Sequence, residues 1–131
     1  MDRSQILTAF NDHFMQFVED IQSVFPDNID IATLHTSLSS LRKVNPRLLI
    51  NSFKKHISGI YRTEIEKGNI SFFIENDYKS YLNENGVQSA NMILEKIDCL
   101  RDPIRQMNTV DQSKIMKYLQ NLTKLSDNYN S

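Results

Sequence analysis

Three histidines, one cysteine and a few close carboxylate pairs are the side chains of this chain whose types could carry catalysis or metal binding. His13, His35 and His56 fall on three different helical segments, near the polar edge of each. A metal site built on one helix needs ligands a turn apart, and no His-x-x-x-His or Glu-x-x-His pair occurs. Boundary or surface histidines are expected, and no metal. Cys99 follows Asp98 and lies late in an expected helix, two features that disfavour a thiolate, so a partly buried structural thiol is expected. Glu64 and Glu66 face different sides of a helix. Asp98 and Asp102 share a face and, with Arg101 and Arg105, form an ion-pair cluster around Pro103. Such a cluster reads first as a solvated polar cluster; if it does more, it is an interaction surface, not an acid–base pair. With 3 Gly and 3 Pro, little material is left for phosphate-cradling loops. No catalytic, metal or cofactor-binding residue is expected, and hence no enzyme and no small-molecule substrate.

The elements that hold these residues follow from apolar periodicity. At 131 residues and 40% hydrophobic, the chain suits one domain whose core needs no disulfide. Ile6, Leu7, Phe10, Phe14, Phe17, Val18, Ile21 and Val24 recur at helical spacing over 4–25, with Ser4 or Asp2 as cap and Phe25-Pro26 as stop. Asp30 caps a second helix that turns Ile31, Leu34, Leu38, Leu41 and Val44 inward. Asn45-Pro46 ends it and opens a third, which runs to about Lys67, where Gly68 supplies a left-handed stop. Residues 69–87 read as a short helix or irregular turn, then a loop. A fourth helix covers about 88–101, with Met92, Ile93, Ile97 and Leu100 inward, and Pro103 kinks or restarts it through Met107. Thr109-Val110-Asp111-Gln112 forms a capping box for the last helix, and 126–131 is a polar, frayed tail. The expectation is an all-α single domain over 1–131, a compact bundle of five to six helices.

No run approaches the length of a membrane span, and Met1-Asp2-Arg3-Ser4-Gln5 is not the start of a signal peptide. A soluble protein of a reducing compartment is expected.

Charge is distributed more tellingly than its total of −1 suggests. Residues 1–41 carry −5, 42–67 carry +5, 68–102 carry −3 and 103–131 carry +2. On the third helix Arg47, Asn51, Lys54, Ser58 and Arg62 share a polar face, opposite Leu49, Phe53, Ile57 and Ile60. Two readings stay open. Acidic helix one and basic helix three are neighbours in the bundle, or the stripe Arg47, Lys54 and Arg62 docks on an acidic partner. The absence of interleaved aromatics on the stripe argues against nucleic acid. Phe72 and Phe73 are adjacent, so one face cannot bury both, and one of them is expected at an intermolecular contact.

Five strings carry a family resemblance: Phe14-Met15-Gln16-Phe17-Val18-Glu19-Asp20-Ile21, Phe25-Pro26-Asp27-Asn28-Ile29-Asp30-Ile31, Arg42-Lys43-Val44-Asn45-Pro46-Arg47-Leu48, Leu100-Arg101-Asp102-Pro103-Ile104-Arg105 and Lys117-Tyr118-Leu119-Gln120-Asn121-Leu122. Together, over about Phe10 to Leu125, the chain resembles a family of small helical proteins of large double-stranded DNA viruses of algae and amoebae. The strings are helix stops and caps, and none is a catalytic signature. The resemblance implies no reaction. It implies a virion role, as a minor capsid or cementing protein contacting other capsid proteins or itself, located in the particle and, during assembly, in host cytoplasm or virus factory. The contacts would use Arg47, Lys54, Arg62, Phe72, Phe73, Arg101 and Arg105, within the third-helix face, the 70–82 segment and the Pro103 cluster. The alternative is a soluble viral adaptor binding host or viral proteins in the infected cell.

Overall fold

Helix α1 (Arg3–Val24) buries most of the stripe that its spacing demands, with Ile6, Phe10, Phe14, Phe17, Val18 and Ile21 inside and Leu7 half-buried. Val24 in its last turn is exposed, contrary to expectation, because the helix ends beyond the core there. The computed structural model describes residues 2–75 and 98–129. Asp2 caps α1 in a reciprocal box with Gln5, whose side chain accepts in return from the Asp2 N–H at 3.0 Å. Helix α2 (Ile29–Val44) folds back antiparallel, since Glu19 meets His35 and Asp12 meets Arg42 across the pair. Its cap is Asn28, not Asp30: the Asn28 side chain accepts from the Ile31 N–H at 3.1 Å, and Asp30 falls inside the first turn. Ile31, Leu34 and Leu38 point inward as expected, but Val44 does not; the final turn of α2 runs past the core and leaves it 84% exposed.

The long third helix is interrupted. It consists of α3 (Leu48–Phe53), a π turn (Lys54–Ser58) and α4 (Gly59–Lys67). The Gly59 N–H reaches back five residues to the Lys54 carbonyl, the wider loop that defines a π turn. The extra residue resets the register. From Phe53 to Ile65, twelve residues of regular helix would leave the two side chains about 120° apart. A one-residue insertion removes about 100° of that, so Phe53, Ile57 and Ile65 all reach the core. The expected faces fail beyond the turn for this reason: Ser58 is buried, and Ile60 is 48% exposed. Gly68 closes α4 with φ of 73°, the left-handed stop that its type predicts.

Phe72 and Phe73, on the short α5 (Ser71–Glu75), are both buried. One helical face could not do this, but α5 is covered on two sides. Phe72 stacks on Tyr61 of α4 at 5.1 Å, and the helix packs against α6 (Arg101–Gln106). Neither ring is left for the intermolecular contact expected of it. Pro103 sits inside the first turn of α6, where its missing N–H breaks no bond. Helix α7 (Thr109–Asn128) is capped by Asn108, whose side chain accepts from the Asp111 N–H at 2.8 Å. The expected Thr109 box is thus one residue late, and Gln112 instead donates to the Ile104 carbonyl at 3.0 Å. The tail is also shorter than expected: α7 continues to Asn128, and Tyr129 is buried under the Arg3 guanidinium.

Among the described residues the fold is all-α, and one hydrophobic cluster runs through all of its helices. None of the described helices is long and apolar enough to cross a membrane. The rest of the 69–87 segment, most of the expected 88–101 helix and the expected inward Met92, Ile93 and Ile97 lie outside the described residues.

A Cβ added at Gly59 would lie 2.6 Å from the Lys54 carbonyl oxygen, closer than real Cβ atoms come. Helix propensity alone would make Gly59→Ala stabilising by up to ~1 kcal/mol. The π turn reverses the sign: urea unfolding should show the variant destabilised by roughly 1–3 kcal/mol, the usual cost of overpacking.

Candidate functional site

At the α2–α3 corner, charged side chains that form no ion pair among the described residues meet exposed apolar surface. Two side chains of α1 fix it. Asn11, itself buried, donates through its amide to the Pro46 carbonyl at 3.1 Å, and Asp12 pairs with Arg42 at 2.7 Å. The turn closes on itself through the Leu48 N–H and the Asn45 carbonyl, 3.2 Å apart. What it presents outward is Lys43, Val44 and Arg47, all exposed. Val44 and Lys43 escaped the sequence reading. Helical spacing placed Val44 inward, and the Asn45-Pro46 stop directly after it was the one sign that its turn lay beyond the core.

The expected stripe is only partly available for contacts. Arg47 is exposed and makes no ion pair among the described residues, whereas Arg62 forms a two-pronged bond with Asp127 of α7 at 2.7 and 2.6 Å. That fork holds the Asp127 carboxyl below its ordinary range, helped by the Arg62 charge and, more weakly, by Lys54; it raises Arg62 in turn. Lys54 is half-buried. Beside the fork lies a shallow cleft of ≈ 260 Å³ between α4 and α7, reached by Glu66 and Lys124. Arg62 therefore ties α4 to α7 and is not a free docking group.

Arg101 and Arg105 are also engaged within the fold. Arg101 lies 3.5 Å from Asp98, and Arg105 lies 2.9 Å from Asp102. Arg105 further donates to the Ile74 carbonyl, joining α6 to α5. The cluster resolves into two local pairs, one of which locks a helix contact.

The three histidines stay apart. His35 meets Glu19 at 2.9 Å, His13 lies against the Tyr118 ring at 4.8 Å, and His56 is buried within the π turn. Burial, which was not expected of His56, lowers its pKa, and the adjacent Lys55 lowers it further. Burial also lowers His13, against a smaller opposing hydrogen bond from Gln16. Among the described residues no group of three metal-ligating side chains converges. The Cys99 thiol is half-buried, 3.8 Å from the Asp30 carbonyl.

The seam between α1 and α7 carries the most perturbed group. Tyr118 packs on Phe17 at 5.7 Å and donates to Asp20. Burial first, then that hydrogen bond and the charges of Asp20 and Glu19, push its pKa up to about 12. A shallow cleft of ≈ 270 Å³ opens beside it, lined by His13, Asp20, Lys114, Lys117, Tyr118 and Asn121. The hydroxyl keeps its proton and donates it in a hydrogen bond to Asp20, so the phenol is a strut and not a poised base.

No protein-family model matches the chain, and no curated protein or solved structure matches it. The viral resemblance rests on the five strings quoted above.

The pKa directions add to the loss of stability at both ends of the pH range. His13 and His56 favour the neutral form when folded, so their contribution is whole above the unfolded value of 6.5 and is lost as pH falls below it. Tyr118 favours the protonated form when folded, so its contribution is whole below 10.0 and is lost as pH rises towards about 12. Thermal melts across pH should show the alkaline loss reduced in Tyr118→Phe and the acid loss reduced in His56→Gln. An unchanged profile in both would remove these groups from the account.

Proposed function

We propose that this chain is a non-enzymatic structural protein of a large double-stranded DNA virus particle, a minor capsid or cementing component that packs between larger proteins. The observation supporting a contact role is the anchored corner. Asn11 and Asp12 hold it from behind, and it carries Lys43, Arg47 and an 84%-exposed Val44 on its outer side. A single exposed valine is ordinary on a protein surface; it is its place beside two cations on one anchored turn that gives a partner both apolar area and charge to meet. The flanking cations select an acidic partner and set its orientation, as charges at an interface rim do. Of the arginines expected at contacts, Arg47 is the one that keeps its side chain outward without an ion pair among the described residues. Phe72 and Phe73 drop out of the contact surface because they are core. The viral setting comes from the five strings alone.

Quantitative mass spectrometry of purified particles of the encoding virus tests the reading. A fixed copy number per particle is expected, and absence from particles alongside abundance in infected-cell lysate would replace it with the soluble adaptor. Reversing Lys43 and Arg47 to Glu should lower incorporation several-fold without shifting the melting temperature. Arg62→Glu should shift the melting temperature itself, because it leaves Asp127 facing a like charge.

A further inference from the structure

The two most exposed large hydrophobic side chains of the described residues sit at opposite ends of one helix. Ile29, 78% exposed, is the first residue of α2, and Val44, 84% exposed, is the last. About 24 Å of helix separates them. Their surroundings carry opposite charge. Ile29 lies between Asp27 and Asp30 in the chain, both exposed. Val44 lies between Lys43 and Arg47, both exposed. None of these four charges forms an ion pair among the described residues. The neighbouring charges are already cancelled, since Arg42 is bound by Asp12 and Arg101 by Asp98.

Acids at the start of a helix and bases at its end also complement the backbone dipole, and that alone could explain the signs. It does not explain why each end also exposes a branched apolar side chain. An apolar knob ringed by acids and an apolar knob ringed by bases, on the same rigid rod, fit one another.

We propose that the acidic end of α2 in one copy of this chain docks on the basic α2–α3 corner of a second copy. This names one partner for the contact surface proposed above and rests on that corner being a contact surface. The two patches differ, so the contact is head-to-tail, and the resulting pair retains one free patch of each kind. Repetition yields a ring or an open row, according to the rotation between copies. Successive α2 helices then follow one another head to tail, the N-terminal end of one at the C-terminal end of the next. Salt weakens the contact by screening its exposed rim charges, and the Ile29–Val44 knobs supply a part that salt does not weaken.

Analytical ultracentrifugation of the purified full chain, up to on the order of 1 mM, tests this, since contacts weaker than that would leave copies apart. The wild type should form a concentration-dependent series of species that shortens as salt rises. A variant with Lys43→Glu and Arg47→Glu has acidic patches at both ends, and one with Asp27→Lys and Asp30→Lys has basic patches at both ends. Each alone should stay monomeric, and a one-to-one mixture should assemble again. Ile29→Ser or Val44→Ser should weaken assembly several-fold in the wild-type background, an effect that charge attraction alone would not produce. These two sites are exposed enough that folding is unaffected, so they keep the test decisive if charge reversal unfolds the chain. A wild type that is monomeric throughout, a variant that assembles alone, or serine substitutions without effect would each overturn the proposal. A monomeric protein still found in purified particles would leave the virion reading standing, whereas self-assembly with absence from particles would leave only the present one.

Discussion

Burial of the aromatic stripe on α1 is the constraint to which the other helices answer. Phe10, Phe14 and Phe17 are each at most 1% exposed, and their rings form a continuous run. Phe10 meets Phe53 of α3 edge-on at 5.4 Å, and Phe17 meets Tyr118 of α7. Each ring is worth roughly 1.5–3 kcal/mol when fully buried, with a further ~0.5–1.5 kcal/mol for each good ring pair. One helix provides the shared wall, so α2, α3 and α7 pack against it from different sides. Its less apolar positions then become the ties: Asn11 and Asp12 to the corner, Glu19 to α2 and Asp20 to α7.

Those ties divide the cations by chemistry. Arg42, Arg62, Arg101 and Arg105 each close an ion pair inside the fold, whereas no lysine among the described residues does so. The planar guanidinium retains its geometry when it bonds a carboxylate through two prongs, and the flexible ammonium does not. The alternating charge blocks of the sequence are thus partly spent on internal joints. What remains outside is mostly lysine, together with Arg47.

Periodicity made α1, α2 and α7 legible, because their apolar residues keep a constant turn per residue. It misjudged Ser58 and Ile60 because the π turn changes that constant midway along a helix. Gly59 was the only trace of the change in the sequence, and a lone glycine inside a helix has several meanings. Caps were misread where capable residues stand in series: Asn28 lies two positions before Asp30, and Asn108 directly before Thr109. The direction of the incoming chain decides between such neighbours. Phe72 and Phe73 were misjudged because a five-residue helix wedged between two others has no solvent side to spare. Of the candidate site, Arg47 was visible as an unmatched charge. Val44 was not, since spacing says which side of a helix a residue occupies but not where the core ends along its axis.

The pairing of α1 with α7 also governs how the fold is reached. Arg3 lies over the Tyr129 ring, and Asp20 meets Tyr118, so α1 is tied near both of its ends to the middle and the C-terminal end of the latest described helix. Contacts this distant in sequence close the largest loop in the chain, and that loop must be closed before the aromatic stripe is covered on that side. During synthesis α1 therefore emerges with Phe17 and Ile21 uncovered and waits for α7. In that interval the chain displays its most adhesive surface, which a chaperone or a neighbouring nascent copy can engage. The α1–α2 hairpin, whose two ion pairs join nearby segments, is the part able to form first and shield the stripe from one side.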